Sequence, residues 1–396
     1  MLIAGEASGD LLAAELVGTL RQKVITGSLD STADVQPLRT ALAPRFFGAG
    51  GPKMAAAGVE LAFDLTQHAV LGLSDVLKNY LKFRKLFKQL LRIAIQRQPD
   101  VIIGVDYGGF NLRFGKAIKN YVRKHRTEFV PWNPKIVQFV SPQVWASRPD
   151  RAYTLAENYD LLLSIFPFEK QWYDKRVPKL RVEFVGHPMV GRFQKSEIRG
   201  QKSESKPPPL VVLLPGSRMD EVRRHWPVVT GVFELLRQEL PTLHGKIVLP
   251  DEALAQSARS FNVPMGLETQ VGGLASALTE ADLAITKSGT ITMECAMFGV
   301  PAVVFYKTSW PSYLIGRQIV GVDFLAMPNL LAGEEIFPEF IQHAATTENI
   351  ARAALELLTD RTRREAVKAK LAKIVASLGV PGASSRAAEA IVSLLP

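Results

Sequence analysis

One cysteine, Cys295, stands in 396 residues, so neither a disulfide framework nor a cysteine metal cluster organises this chain. A reducing compartment suits that composition. No apolar run reaches the roughly 18 residues a membrane-spanning helix requires. The opening Met1–Glu6 is too short and too soon acidic for a secretion signal; it has the look of a strand whose front end is barely present, as though clipped. The first glycine turn, Gly5–Asp10, is not Gly-x-Gly-x-x-Gly, which sets aside a dinucleotide fingerprint. No Asp-x-Asp pair stands at a strand end, so the sequence offers no metal-holding pair for a diphosphate. Acidic residues are missing altogether from Val76 to Arg97.

What is present is unevenly charged. Lys and Arg number 48 against 38 Asp and Glu, a formal net charge of +10. Residues 1–200 hold 29 basic and 18 acidic side chains; residues 201–396 hold 19 and 20. The whole excess therefore belongs to the first half, and an asymmetric basic half implies an anionic partner there: nucleic acid, an anionic lipid surface or a phosphorylated substrate. A solvated face without a partner is the plain alternative.

Short apolar runs alternate with helical stretches along both halves, the pattern of βαβ units and parallel sheets. In the first half the runs are Met1–Ala4, Arg45–Gly48, Val101–Val105, Lys135–Val140, Leu161–Phe166 and Val182–Val185. In the second they are Val211–Leu214, Lys246–Leu249, Leu283–Thr286 and Pro301–Phe305, with helices over Pro227–Gln238, 348–376 and 383–395. The polar stretch 195–209 ends in three prolines and reads as a linker. Two domains follow: 1–194, joined by the terminal helices 360–396, and 210–359.

Candidate chemistry collects where strands end. The strand Val211–Leu214 runs into Pro215, Gly216, Ser217 and Arg218, offering backbone N–H groups and a guanidinium fork to an anion. An ordinary turn with a surface arginine is the alternative. Ser288, Gly289 and Thr290 repeat the theme before a helix, and Glu294, one turn on, suits two ribose hydroxyls. Asn329 follows a strand-like stretch and suits an amide or carbonyl edge. In the first half Asp106 stands at the tip of Val101–Val105, placed either to take a proton from a hydroxyl or to cap the next helix. Ser8, Gly9 and Asp10 in the first turn, Ser141 and Trp145 after another strand, and His187 after the last strand share that sheet edge.

From Val76 to Arg97 seven basic residues, Lys82, Lys85 and Lys88 among them, interleave with apolar ones at helical spacing. An apolar loop with Val70, Leu71 and Leu73 precedes them. Such a helix lies on an anionic membrane, packs its apolar stripe on the sheet, or does both. Two Rossmann-like halves, one basic with a candidate base and one with two phosphate-friendly turns, form the α/β layout of a nucleotide-sugar transferase of GT-B type, with a cleft expected between them. Arginine and helix N-termini would there stabilise the diphosphate.

As an ordered set, nine segments resemble the lipid-A-disaccharide synthase family. They are Ala4–Asp10 (AGEASGD), Val70–Leu73 (VLGL), Gly104–Asn111 (GVDYGGFN), Val140–Ala146 (VSPQVWA), Phe166–Lys170 (FPFEK), Val185–Pro188 (VGHP), Leu213–Arg218 (LLPGSR), Ser288–Thr290 (SGT) with Glu294, and Leu325–Gly333 (LAMPNLLAG). The resemblance implies an inverting, metal-independent hexosyltransferase without a cofactor, acting at the inner face of the cytoplasmic membrane. It would join the sugar of UDP-2,3-diacylglucosamine to the 6-hydroxyl of 2,3-diacylglucosamine 1-phosphate, giving a β-1′,6 disaccharide 1-phosphate and UDP. It implies a general base at Asp106, UDP phosphates at Arg218, and a nucleotide pocket lined by Ser288–Glu294 and Asn329. The partners implied are the two acylated sugars and an anionic inner-membrane surface rather than nucleic acid, with an oligomer allowed. Departures are the barely present first strand, the long stretches 27–44 and 195–209, and Tyr107-Gly108-Gly109 after the aspartate. Other UDP-N-acetylglucosamine enzymes of this layout, a peptidoglycan-type transferase or a 2-epimerase, are the runner-up; a non-catalytic nucleotide-binding protein is the third reading.

Overall fold

Strands buried on both faces are what the apolar runs build. In the computed structural model, β1 (Leu2–Ala4), β2 (Phe47–Gly50), β3 (Glu60–Asp64), β4 (Val101–Val105), β5 (Lys135–Phe139), β6 (Leu161–Ser164) and β7 (Val182–Phe184) pair in parallel. Their order is β3-β2-β1-β4-β5-β6-β7. A second parallel sheet has the order β10-β9-β8-β11-β12-β13, from β8 (Leu210–Leu214), β9 (His244–Leu249), β10 (Leu267–Val271), β11 (Leu283–Lys287), β12 (Ala302–Tyr306) and β13 (Glu339–Ile341). The structure describes residues 1–27, 44–68, 73–192, 208–310, 313–314, 316 and 321–395, without the side chains of 25–27, 68 and 73–80. Val70, Leu71, the side chain of Leu73, the polar stretch 28–43 and the linker residues 195–207 lie outside the described residues.

The chain divides into two compact units, Met1–Pro188 with Gly379–Pro396, and Met189–Leu378. The C-terminal return to unit one is shorter than the sequence suggests. The expected helix 348–376 is two helices, Thr347–Thr359 and Arg361–Ser377, broken where the Asp360 carboxylate accepts the Arg363 N–H at 3.0 Å. The second of these packs on Ile291–Met297 and Thr347–Thr359, inside unit two. Only the helix Ala383–Val392 goes back, lying along Ala7–Gly27.

β3, β10 and β13 are absent from the sequence-based assignment, and all three are sheet edges. An edge strand has one unpaired side and a half-wet face, so it lacks the continuous apolar run that betrays a central strand. β3 and β10 each carry two or more exposed positions, whereas Val211–Leu214 is buried throughout. The helix expected at Pro227–Gln238 begins eight residues earlier, spanning Met219–Glu239 with Pro227 inside it. This brings its first turn directly behind Arg218.

The helix Leu73–Arg97 buries Leu90 and Ala94 in the core of unit one, with Leu86, Phe87, Leu91 and Ile93 packed against that core. Phe87 meets the rings of Phe110 and Phe114 edge-on, at 5.3 and 5.7 Å between centroids. Lys82, Arg84, Lys85, Lys88 and Arg92 are exposed, and Leu81 beside them is 76% exposed.

Candidate active site

Each sheet reverses its direction of growth once, between β1 and β4 in unit one and between β8 and β11 in unit two. In an open parallel sheet the loops leaving the carboxyl ends of such a strand pair diverge and leave room for a ligand. The loop after β4 begins with Asp106 and Tyr107, at φ 51° and 47°. Two consecutive side-chain-bearing residues in the left-handed region carry strain of order 1–3 kcal/mol each. Neighbours hold them there. The Asp106 N–H donates to the Phe139 carbonyl at 2.8 Å. The Asp106 carbonyl accepts from Asn111 Nδ2 at 2.8 Å and from Gln138 Nε2 at 2.9 Å. Gln138 Nε2 also donates to the carbonyl of Val140 at 3.2 Å, itself at φ 68°.

Glycines make room for this brace. A Cβ on Gly104 would meet Gln138 Oε1 at 2.7 Å, and one on Gly5 would fall 2.2 Å from the Tyr107 ring. The Asp106 carboxylate is half-buried, and Ser8 Oγ donates to its Oδ2 at 3.5 Å. Burial raises its proton affinity above that of an ordinary aspartate, against the Tyr107 N–H and the Ser8 hydroxyl. Gly9 lies alongside, since a Cβ there would stand 3.4 Å from Asp106 Cβ. Asp10 corrects the expectation placed on it. Its buried carboxylate accepts the N–H groups of Gly51, Lys53 and Met54 at 2.8, 2.9 and 3.1 Å, so it is turned inward to fasten the turn after β2.

Ser141 and Trp145 meet at one buried carboxylate that the sequence did not single out, and His187 packs on the neighbouring Phe166. Glu169 accepts Trp145 Nε1 at 3.0 Å and the Phe166 N–H at 3.2 Å. Ser141 Oγ donates to Tyr173 Oη at 3.1 Å and also bonds Glu169. The His187 ring packs on Phe166 at 5.4 Å. These three therefore shape the sheet edge around Glu169, whose pKa burial pushes up to about 7, against the hydrogen bonds it accepts.

In unit two the turns after β8 and β11 are tied by Glu221. Its Oε2 accepts the Ser217 N–H at 3.1 Å, and its Oε1 accepts Lys287 Nζ at 2.8 Å and Arg218 Nη1 at 3.2 Å. Burial works to raise this carboxyl, but Lys287, the Ser217 N–H and Arg218 outweigh it and hold it below the usual range. Gly216, at φ 143°, is needed because a Cβ would collide with Glu221 Cβ and Oε2 at 2.7 Å. Lys287 was missed, though a lysine ending an otherwise apolar strand at a switch point is a readable signal. It lies beside Gly289, whose hypothetical Cβ would be 4.0 Å from Nζ. Ser288 Oγ donates to the Leu325 carbonyl at 2.9 Å. Thr290 is exposed, and half-buried Glu294 has its pKa raised by burial against the charge of Arg192.

Asn329 is a second correction. It is fully buried, its Nδ2 donates to Phe337 O and Glu339 Oε1 at 2.7 and 2.8 Å, and its Oδ1 accepts from Ile336 and Phe337 at 2.9 and 2.8 Å. Every hydrogen-bonding position of the amide is used, so it frames the loop and reads no ligand edge. Cys295 is buried in the core, where burial raises its thiol.

The family model described as lipid-A-disaccharide synthetase matches residues 1–392. The chain belongs to that family. The lipid-A-disaccharide synthase of Geobacter metallireducens is 34% identical over 402 residues, covering all of this chain and 97% of that one. That of Solibacter usitatus is 35% identical over 404 residues, with the same coverage. Solved structures similar in fold include the glycotransferase of kitacinnamycin, at TM-score 0.61 and 16% identity over 100% of this chain and 98% of that one. A Staphylococcus aureus MnaA–UDP co-structure follows at 0.60 and 14%, covering 100% and 96%. Acinetobacter baumannii MurG matches at 0.54 and 14%, covering 99% of both chains. These distant structures establish the two-unit GT-B fold. As a lipid-A-disaccharide synthetase family member the chain is a glycosyltransferase of lipid A disaccharide synthesis, and neither runner-up reading is favoured.

The Glu169 carboxyl makes this family member's stability depend on pH. Its folded pKa lies above the unfolded value, so its contribution is fully present below about pH 4.5 and is lost as pH rises towards 7. Relative to Glu169→Gln, the wild type should lose on the order of 3 kcal/mol across that interval, read from chemical unfolding at a series of pH values.

Proposed function

We propose that this chain transfers 2,3-diacylglucosamine from its UDP derivative to the 6-hydroxyl of 2,3-diacylglucosamine 1-phosphate. The acceptor oxygen attacks the anomeric carbon of the donor and its proton passes to Asp106. The anomeric carbon–phosphate oxygen bond breaks with its electron pair leaving on UDP. One displacement inverts the centre and gives the β-1′,6 disaccharide 1-phosphate. The observation that carries this reading is the strained, half-buried carboxylate at the switch point of unit one. A base on a sugar hydroxyl needs an aspartate of raised proton affinity, and burial supplies it.

Unit two supplies the other requirement. Arg218, Lys287 and the N–H of Ser217 already converge on the Glu221 carboxylate, and the same donors suit the charge that develops on a departing diphosphate. Glu294, one turn beyond Ser288–Thr290, suits the ribose hydroxyls. No described helix is long and apolar enough to cross a membrane. The exposed Lys82, Lys85 and Lys88 with Leu81 among them support attachment to an anionic membrane surface, such as the inner face of the cytoplasmic membrane where acylated sugars reside.

Incubating the protein with the two acylated sugars should release UDP and form the disaccharide 1-phosphate. Asp106→Asn should lower kcat by a factor on the order of 10² or more at little change in KM, because asparagine tolerates the left-handed region but accepts no proton. Arg218→Ala should lose about 2–4 kcal/mol of transition-state stabilisation, seen in kcat/KM. Undiminished turnover by Asp106→Asn places the base elsewhere. Changing Lys82, Lys85 and Lys88 together to Glu should release the protein from phosphatidylglycerol vesicles in a sedimentation assay, while unchanged sedimentation leaves this helix a purely structural role.

A further inference from the structure

His225 lies on the helix Met219–Glu239, four residues beyond Glu221 and so on the same helix face. The residue is 1% exposed. Its Nδ1 stands 2.6 Å from the Pro215 carbonyl oxygen, and its Nε2 stands 3.2 Å from that of Lys307. Pro215 opens the turn after β8, and Lys307 follows β12. β11 lies between those two strands and ends in Lys287. One imidazole therefore joins the two loops that flank Lys287.

Both of its neighbours are acceptors. A carbonyl oxygen donates nothing, so each ring nitrogen bonds its partner only by carrying a proton. A neutral imidazole has one N–H, which leaves the lone pair of the other nitrogen aimed at a carbonyl oxygen. Imidazolium has two and satisfies both. The contacts call for a charged ring in a place where charge is costly. Burial holds the proton affinity of the ring below that of an ordinary histidine, and the charge of Lys287 adds to the effect; the two carbonyls and the charge of Glu221 oppose it. Arg224 Nη1 reaches the same Lys307 carbonyl at 3.5 Å, and the Phe305 ring stands edge-on to the imidazole at 5.0 Å.

Charge decides the balance. Arg218 and Lys287 face the single carboxylate of Glu221, an excess of one cation. A nucleoside diphosphate brings more negative charge than that excess covers, and the set is then short of a cation. A proton on His225 makes up the difference and completes the second hydrogen bond at once. We propose that His225 is a positioning residue of the diphosphate site: it takes one proton from solvent when a nucleoside diphosphate binds, and its two N–H donors then draw the loops after β8 and β12 together. This role rests on the diphosphate site proposed above and adds to it a buried cation that acts through Pro215 and Lys307. Because the ligand raises the proton affinity of the ring, binding is tightest at low pH, and this contribution fades as pH rises through the value of the complex.

UDP is the probe, titrated calorimetrically into the protein at a series of pH values in buffers of different ionisation enthalpy. The terminal phosphate of UDP titrates in the same range, and it does so alike for every variant, so comparison with His225→Gln and His225→Phe isolates the ring. The wild type should take up more protons on binding than either variant. Its UDP affinity should fall more steeply with rising pH than theirs, by at most about tenfold per pH unit, the slope of one linked proton. Nitrogen NMR of the histidine rings, assigned with whichever variant folds, should show one protonated nitrogen at His225 in the protein alone at about pH 7 and two in the UDP complex. Equal proton uptake by wild type and variants overturns this role, as does a His225 ring that keeps a single N–H in the complex. If the wild type binds no UDP, the diphosphate site proposed above fails, and the role of His225 with it.

Discussion

The left-handed turn at Asp106 and Tyr107 is the constraint around which unit one is arranged. The reversal is held from inside by two buried side-chain amides on a single carbonyl, Asn111 on the helix that follows and Gln138 on the neighbouring strand. Gln138 spans two strained strand ends at once, since it also binds Val140. That arrangement dictates small residues around it: Gly104 where the amides lie, Gly5 beneath the Tyr107 ring, Gly9 against Asp106. The amide oxygens of Asn111 and Gln138 are left buried without partners, so the brace has a cost of its own. A fold that accepts strain and unpaired oxygens at one loop is specifying the position of that loop's side chain.

Unit two solves the corresponding problem with charge instead of strain. Glu221 gathers Ser217, Arg218 and Lys287 from two turns that are far apart in sequence, keeping the cations adjacent despite their repulsion. The helix Met219–Glu239, which carries Glu221 in its first turn, aligns its positive end with the same place. His225 reinforces the turn from behind, its ring nitrogens facing the carbonyls of Pro215 and Lys307 at 2.6 and 3.2 Å.

Central strands were legible because burial on both faces demands unbroken apolar runs. The edge strands β3, β10 and β13 were not, because one open side relaxes that demand. The placement of Asp106, Arg218 and Ser288 just past strand ends was legible for a related reason: a polar group after an apolar run has few other places to be. Asp10 and Asn329 were equally conspicuous in sequence, yet each turned inward to saturate backbone groups of a neighbouring loop. Motif spacing does not say which way a side chain points. Lys287, Glu221 and Glu169 were passed over because their meaning lies in partners distant in the chain or across a turn.

The central claim is that local geometry raises the proton affinity of Asp106 and that this proton limits transfer. It is tested most directly by the pH dependence of kcat/KM for the wild type and for Ser8→Ala, since that profile reports the free enzyme's base. The account predicts an acid limb centred above the ordinary aspartate value, moving further up when the Ser8 hydroxyl is removed, because that hydroxyl favours the ionised form. A limb at the ordinary value that Ser8→Ala leaves in place would contradict it.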